Sequence, residues 1–142
     1  MKSFIKILCL LLIFFNSIQA IYGGINFIIS PDGSGMGLTP HLLESSPFKN
    51  FLIPGWILLV SIGLSSLAVI AAVLMQVKDY YWYIIVQGFV VMVWIAVQIF
   101  MLQMISPLHF VIGGVGLSLC IGGIWLRGVE MNLDKLHTPK LT

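Results

Sequence analysis

Charge is what this chain has least of. Only 8% of its 142 residues are Asp, Glu, Lys or Arg, where a soluble domain carries about 25%. With 59% hydrophobic residues, a water-solvated surface around an ordinary core is excluded. The seven basic and five acidic residues leave a net charge of +2. They lie mostly at the ends of apolar runs and form no concentrated basic face, so nucleic-acid binding is excluded. Cysteine is nearly absent. Cys9 and Cys120 are the only two, and no C-x-x-C pair exists to support thiol redox chemistry. They read as small apolar packing residues. A disulfide between them would require the first and fourth apolar runs to meet.

What fills the chain instead is four long apolar runs, from about Ile7 to Ile29, Phe51 to Val77, Tyr81 to Ile105 and Leu108 to Leu126. Each is close to the roughly 20 residues that cross a hydrocarbon core of about 30 Å as a helix. The reading is an all-α, four-helix transmembrane bundle, with a single domain over 1–142. An outer loop spans 30–50 and a tail spans 127–142. Lipid is the primary partner.

Orientation follows from the basic residues. Lys2, Lys6, Lys78, Arg127, Lys135 and Lys140 fall on one side of such a bundle, and only Lys49 on the other. The excess of Lys and Arg marks the cytoplasmic face, so both termini and the middle turn are expected inside, in a plasma (inner) membrane. Trp56, Tyr80, Tyr81, Trp82, Tyr83 and Trp125 stand near the span ends, where a ring can be buried with its polar atom wet. Trp94 stands near mid-span and reads as a packing residue. A second reading of the N-terminus is a cleavable leader ending at Ala20. Apolar residues continue to Ile29, which favours a retained span.

No Asp, Glu, Lys or Arg lies inside any of these runs. Intramembrane carboxylates and histidines mark proton relays and coupled transport, and the first run offers only amides. Those amides, Asn16, Gln19 and Asn26, share a helical face with Gly23, so the stripe is expected to face the bundle, mainly as interhelical hydrogen bonding. Ser61, Ser65, Ala68 and Ala72 form a small-residue face on the second run. Gln87, Trp94, Gln98 and Met101 share a face of the third. On the fourth, Gly114, Ser118 and Gly122 repeat every four residues, a strip that brings helices into close contact within the monomer or between copies.

The outer loop, Ser30-Pro31-Asp32-Gly33-Ser34-Gly35-Met36-Gly37, predicts tight turns with positive φ. It lacks the Gly-Lys-Ser/Thr of a phosphate loop. Thr39-Pro40 predicts the start of a short helix on the outer surface, Thr39 capping and Leu42 and Leu43 turned inward. His41 and His109 are both expected near this face, with Asp32 and Glu44 in the same loop. Their spacing is not that of a metal site or of a haem ligand pair, and no Ser/His/Asp set assembles. No metal, cofactor or catalytic residue is assigned. The tail is expected to be a frayed helix end followed by a disordered terminus.

Tyr22-Gly23-Gly24, the glycine loop, Ser46-Pro47-Phe48-Lys49-Asn50-Phe51-Leu52-Ile53-Pro54-Gly55, Trp94-Ile95-Ala96-Val97-Gln98 and Leu108-His109-Phe110 together resemble a group of small bacterial four-span membrane proteins. The Ser-Pro-Phe and Ile-Pro-Gly pieces are the most specific part, and the likeness extends over most of the chain. It implies the fold and the membrane location and carries no activity. If the first-span amides share the interior with Trp94 and Gln98, the outer half holds a polar, aromatic-lined cleft suited to a lipid headgroup or small amphiphile. The expected role is a non-enzymatic scaffold or accessory subunit, in a homo-oligomer or with another membrane protein. The alternative is a binding or transport module for a lipid-like or neutral small molecule.

Overall fold

The computed structural model describes residues 1–103 and 105–137, with only the backbone for 134–137. Four helices are long and apolar enough to cross a membrane. They are α1 (Lys2–Ile29), α2 (Leu52–Leu74), α3 (Tyr80–Leu102) and α4 (Pro107–His137). No strand occurs among the described residues. Their sequences carry no proline deep in a helix. Pro54 falls in the first turn of α2 and Pro107 at the first position of α4, where a missing N–H costs nothing.

Both ends of the bundle differ from the sequence boundaries. The first helix begins at Lys2, so Lys2 and Lys6 are helical. The fourth continues to His137, about three turns past Leu126. The expected disordered terminus, with Pro139 and Lys140, lies outside the described residues. The surface helix expected after Thr39 is a single 3-10 turn, Pro40–Leu43, and Thr39 makes no capping hydrogen bond. Four residues leave no room for the i→i−4 ladder of an α-helix. Leu43 is nonetheless buried and Leu42 packs against the same cluster.

Neighbouring helices run antiparallel. Gly24 meets Gly55, Ser66 meets Gln87, Gly88 meets Gly116, and Cys9 meets Gly122. Each pair sits at matched depth on its two helices, which closes an up-down-up-down ring. The backbones touch where a glycine is present. A Cβ on Gly55 would fall 2.7 Å from Phe27 Cβ and 3.1 Å from Gly24 O, so no side chain fits at this crossing. In a bundle without a hydrophobic drive between helices, such close contact supplies the attraction.

The loop folds back over one end of the bundle. Gly33 and Gly37 adopt φ of +81° and +67°, as its glycine pattern predicts. Asp32 Oδ1 accepts from the Ser34 N–H at 3.1 Å and hydroxyl at 2.7 Å. Phe51 donates its N–H to Pro31 O at 2.8 Å, and its ring stacks on Phe27 at 4.9 Å. Loop and bundle are thus joined by backbone and rings together.

Two apolar clusters make the core. One, at the loop end, contains Ala20, Phe27, Leu43, Phe51, Leu58, Ile62 and Val91. The other, at the tail end, contains Cys9, Ile13, Val69, Val73, Tyr80, Ile84, Leu119 and Leu126. Buried Asn16, Ser17, Ser66 and Gln87 fall between them in every helix that contributes one. The bundle therefore has a polar layer at mid-height.

Candidate functional site

The polar layer is built on an irregularity of α2. Residues Leu59–Leu64 form a π-helical segment, in which the Ser65 N–H reaches back to Val60 O. Widening a turn by one residue frees carbonyls from their ordinary partners. Serine hydroxyls donate to several of them: Ser61 to Ile57 O and Ser65 to Ser61 O, both at 2.6 Å, and Ser17 of α1 to Gly63 O at 2.9 Å. Gln87 of α3 completes the layer. Its Nε2 donates to Ser66 Oγ at 3.0 Å, and its Oε1 lies 3.0 Å from Ser65 Oγ, whose one hydrogen is shared between this oxygen and Ser61 O. One buried amide, Asn16 Nδ2, has no hydrogen-bond partner.

The expected cleft residues separate into two places. Asn16 is buried within the layer, while Gln19 and Asn26 lie at the flank of α1. The buried positions of α1 are Cys9, Ile13, Asn16, Ser17, Ala20, Gly23, Gly24 and Phe27, a face that keeps Asn16 and Gly23 of the amide stripe and leaves Gln19 and Asn26 at its edge. Asn26 donates to Tyr22 O of its own helix at 2.8 Å, so it needs no partner across the bundle. Trp94 and Gln98 come together elsewhere. They line a small cavity of about 40 Å³ beneath the loop with Phe27, Leu43 and Phe51. The lining groups of that cavity are almost wholly apolar.

Trp94, Pro54 and Met101 also border a larger space. It is a groove of about 380 Å³ between α2 and α3, open to the side and lined almost wholly by carbon. Sequence reading placed Ser61 on a helix-packing face, but it lies at this groove. Phe48 entered only through the Ser-Pro-Phe resemblance, and Ile57 and Val90 were not singled out. No polar signal marks them, and only the divergence of two helices brings them together.

The glycine strip of α4 also divides. A Cβ on Gly122 would meet Cys9 Sγ at 2.6 Å, so this residue faces α1. Gly114 has nothing within 4 Å of such an atom, and Ser118 is exposed. The strip that packs α4 on α3 is a different one. Gly116 meets Gly88 O at 2.9 Å, Gly123 meets Tyr81 O at 3.1 Å, and Gly88 meets Gly116 O at 2.6 Å. The α3-facing strip lies about half a turn around α4 from Gly114 and Ser118. Both strips have helical spacing, and only the neighbour decides between them. The cysteines serve this packing. Both are free, Cys9 against Gly122 and Cys120 against Gly88, with Cys120 Sγ 3.6 Å from Ile85 O.

Ionic groups gather at the two ends. At the tail end Lys2 Nζ lies 2.8 Å from Glu130, which also accepts from Tyr80 OH at 3.0 Å. Lys6 stands over the Tyr80 ring and Arg127 over Trp82. At the loop end His41 pairs with Glu44 at 2.9 Å, and His109 Nδ1 accepts from the Ser106 N–H at 2.9 Å. The two histidines thus have separate partners. Among the described residues no three of His, Cys, Asp and Glu converge as metal ligands. Asp32 is held below the usual carboxylate range by its hydrogen bonds from Ser34. Comparison with protein-family models, curated proteins and solved structures returned no match.

Proposed function

We propose that this chain is a non-enzymatic scaffold or accessory subunit of a bacterial inner membrane, crossing it four times with both termini in the cytoplasm. The observation that carries the reading is how the interior polar groups are used. Ser17, Ser65, Ser66 and Gln87 are hydrogen-bonded to one another's helices. Side chains committed in this way hold helices together and leave few polar atoms free to act on a substrate.

The surface offered to a partner is the outer face of α4. Gly114 faces open space there and Ser118 is exposed, beside exposed Phe110, Leu117 and Ile121. A strip of small residues lets a second helix approach closely, and this one is not consumed by the chain's own fold. The orientation rests on the six basic residues assigned to one side against Lys49 on the other. The likeness to small bacterial four-span proteins supports the location.

Co-purification of the full chain from native membranes in mild detergent tests the reading. A stoichiometric polypeptide, or a second copy, should be recovered. Gly114→Leu with Ser118→Leu should abolish it at unchanged thermal stability. Recovery of the chain alone as a monomer, or an association indifferent to both changes, would overturn the proposal.

A further inference from the structure

The groove between α2 and α3 lies on a different face from the α4 strip, and its occupant is a separate question. We propose that it holds one acyl chain of a phospholipid belonging to the leaflet on the loop side.

The cause of the groove is visible in the packing. Gly24 and Gly55 draw the loop-end half of α2 onto α1. Below the π-helical segment, Ser65 and Ser66 tie α2 to Gln87 of α3. The two helices therefore touch at mid-height and part toward the loop. Among the described residues no side chain fills the wedge between them.

Length, section and chemistry select the occupant. On α3 the lining runs from Phe89 to Met101. At 1.5 Å per residue this is roughly 18 Å, close to half of a hydrocarbon core of about 30 Å. One end is closed by the Ser65–Gln87 hydrogen bond at mid-bundle, and the other reaches Phe48 of the loop. The groove thus has the depth of a single leaflet. Its volume of about 380 Å³ admits about a dozen groups of water or methylene size at roughly 30 Å³ each. A helix of that length and about 10 Å across displaces roughly 1,400 Å³, so a partner helix could insert only side-chain tips. Of the two lining side chains that carry a polar atom, Ser61 and Trp94, Ser61 Oγ is already donated to Ile57 O at 2.6 Å, and the surface the lining presents is almost wholly carbon. Nothing within the groove recognises a headgroup, and everything in it suits a hydrocarbon chain.

The force that retains the chain is not the hydrophobic effect, because bulk lipid is equally apolar. It is dispersion at surfaces that otherwise lack partner atoms on one side. A bound chain is accordingly more ordered and slower to exchange than its neighbours around the bundle.

Two measurements on the full-length chain test this. In the first, the protein is washed in detergent until bulk lipid is removed, and retained phospholipid is counted by mass spectrometry. About one per chain is expected, falling roughly tenfold, or 1.4 kcal/mol, in Val90→Phe. Leu11→Phe, at an exposed position of α1 outside the groove, should leave it unchanged. The second needs no substitution and holds if Val90→Phe fails to fold. The wild-type chain is placed in nanodiscs of phosphatidylethanolamine carrying a diazirine in the acyl chain, then photolysed and mapped. Adducts should concentrate on 57–61 and 89–101. Even labelling of all lipid-facing helices, retention indifferent to Val90→Phe in a folded protein, or a polypeptide seated in the groove would each overturn the proposal. A failure of the α4 association would leave it intact, and the reverse also holds.

Discussion

Gly88→Ala should loosen one of the tightest contacts in the bundle, and the tightest made to backbone. An added methyl at this position would fall 2.6 Å from Gly116 O and 2.9 Å from Cys120 N. An ordinary carbon–oxygen contact is about 3.3 Å or longer, so the shortfall is roughly 0.7 Å. Both obstructing atoms are backbone, and no rotamer change can relieve them. Helices α3 and α4 must therefore part along a stretch that includes Ile84, Val91 and Leu119, all with no exposed surface. A gap of 0.5–1 Å forfeits about a quarter to a half of each dispersion well, worth about 0.1–0.2 kcal/mol per atom pair. Over some tens of pairs the loss is about 1–3 kcal/mol, the range of overpacked cores. The matched control is Gly114→Ala, two residues before Gly116 and about half a turn around α4, where a methyl meets nothing within 4 Å. That change should be neutral, or stabilising by up to about 1 kcal/mol through helix propensity. Reversible unfolding of both variants in the same detergent measures the difference. If Gly88→Ala were as stable as wild type, or Gly114→Ala equally damaged, the assigned rotation of α4 would be wrong.

Asn16→Leu should cost nothing and stabilise the bundle by up to about 1 kcal/mol, because it removes a buried donor that has no partner. Gln87→Leu, in contrast, should lose about 0.6–1.7 kcal/mol with its bonds to Ser65 and Ser66. The same unfolding assay reads both, and a clear loss in Asn16→Leu would mean that its amide is satisfied. Asp32 should titrate below the usual carboxylate range, since Ser34 bonds its charged form. With the folded pKa depressed, its contribution to loop stability is complete above the unfolded value and is lost as pH falls through the folded one. Carboxyl NMR of wild type and Ser34→Ala checks this, because the variant should titrate higher. An unchanged midpoint would sink the assignment.

The glycine loop shows what local chemistry can reveal. Gly33 and Gly37 take the positive φ expected of them, because that preference belongs to the residue itself. The short helix predicted after Thr39 is present from Pro40, but as a single 3-10 turn, since a cap and a proline start a turn without supplying length. The candidate site was less legible. Asn16 could be assigned to the interior from its cost in lipid, and it is buried. Asn26 could not, because its amide closes on Tyr22 O within α1. Trp94 and Gln98 meet the loop rather than the α1 amides, a consequence of helix order around the ring. The π-helical segment in α2 has no evident signal in Leu59-Val60-Ser61-Ile62-Gly63-Leu64 beyond the serine that later satisfies it.

Sequence alone determined four apolar helices and their approximate ends, because each depends on the summed hydropathy of some twenty neighbouring residues. Tertiary structure alone decided which face of each helix turns inward. In water the buried side announces itself by contrast with a polar one. Here Phe110, Ile121 and Phe89 on the outside are as apolar as Leu119 and Val91 within, so rotation is chosen by shape: where Gly88 finds Gly116, where Gly24 finds Gly55, and where α2 and α3 diverge to leave a groove.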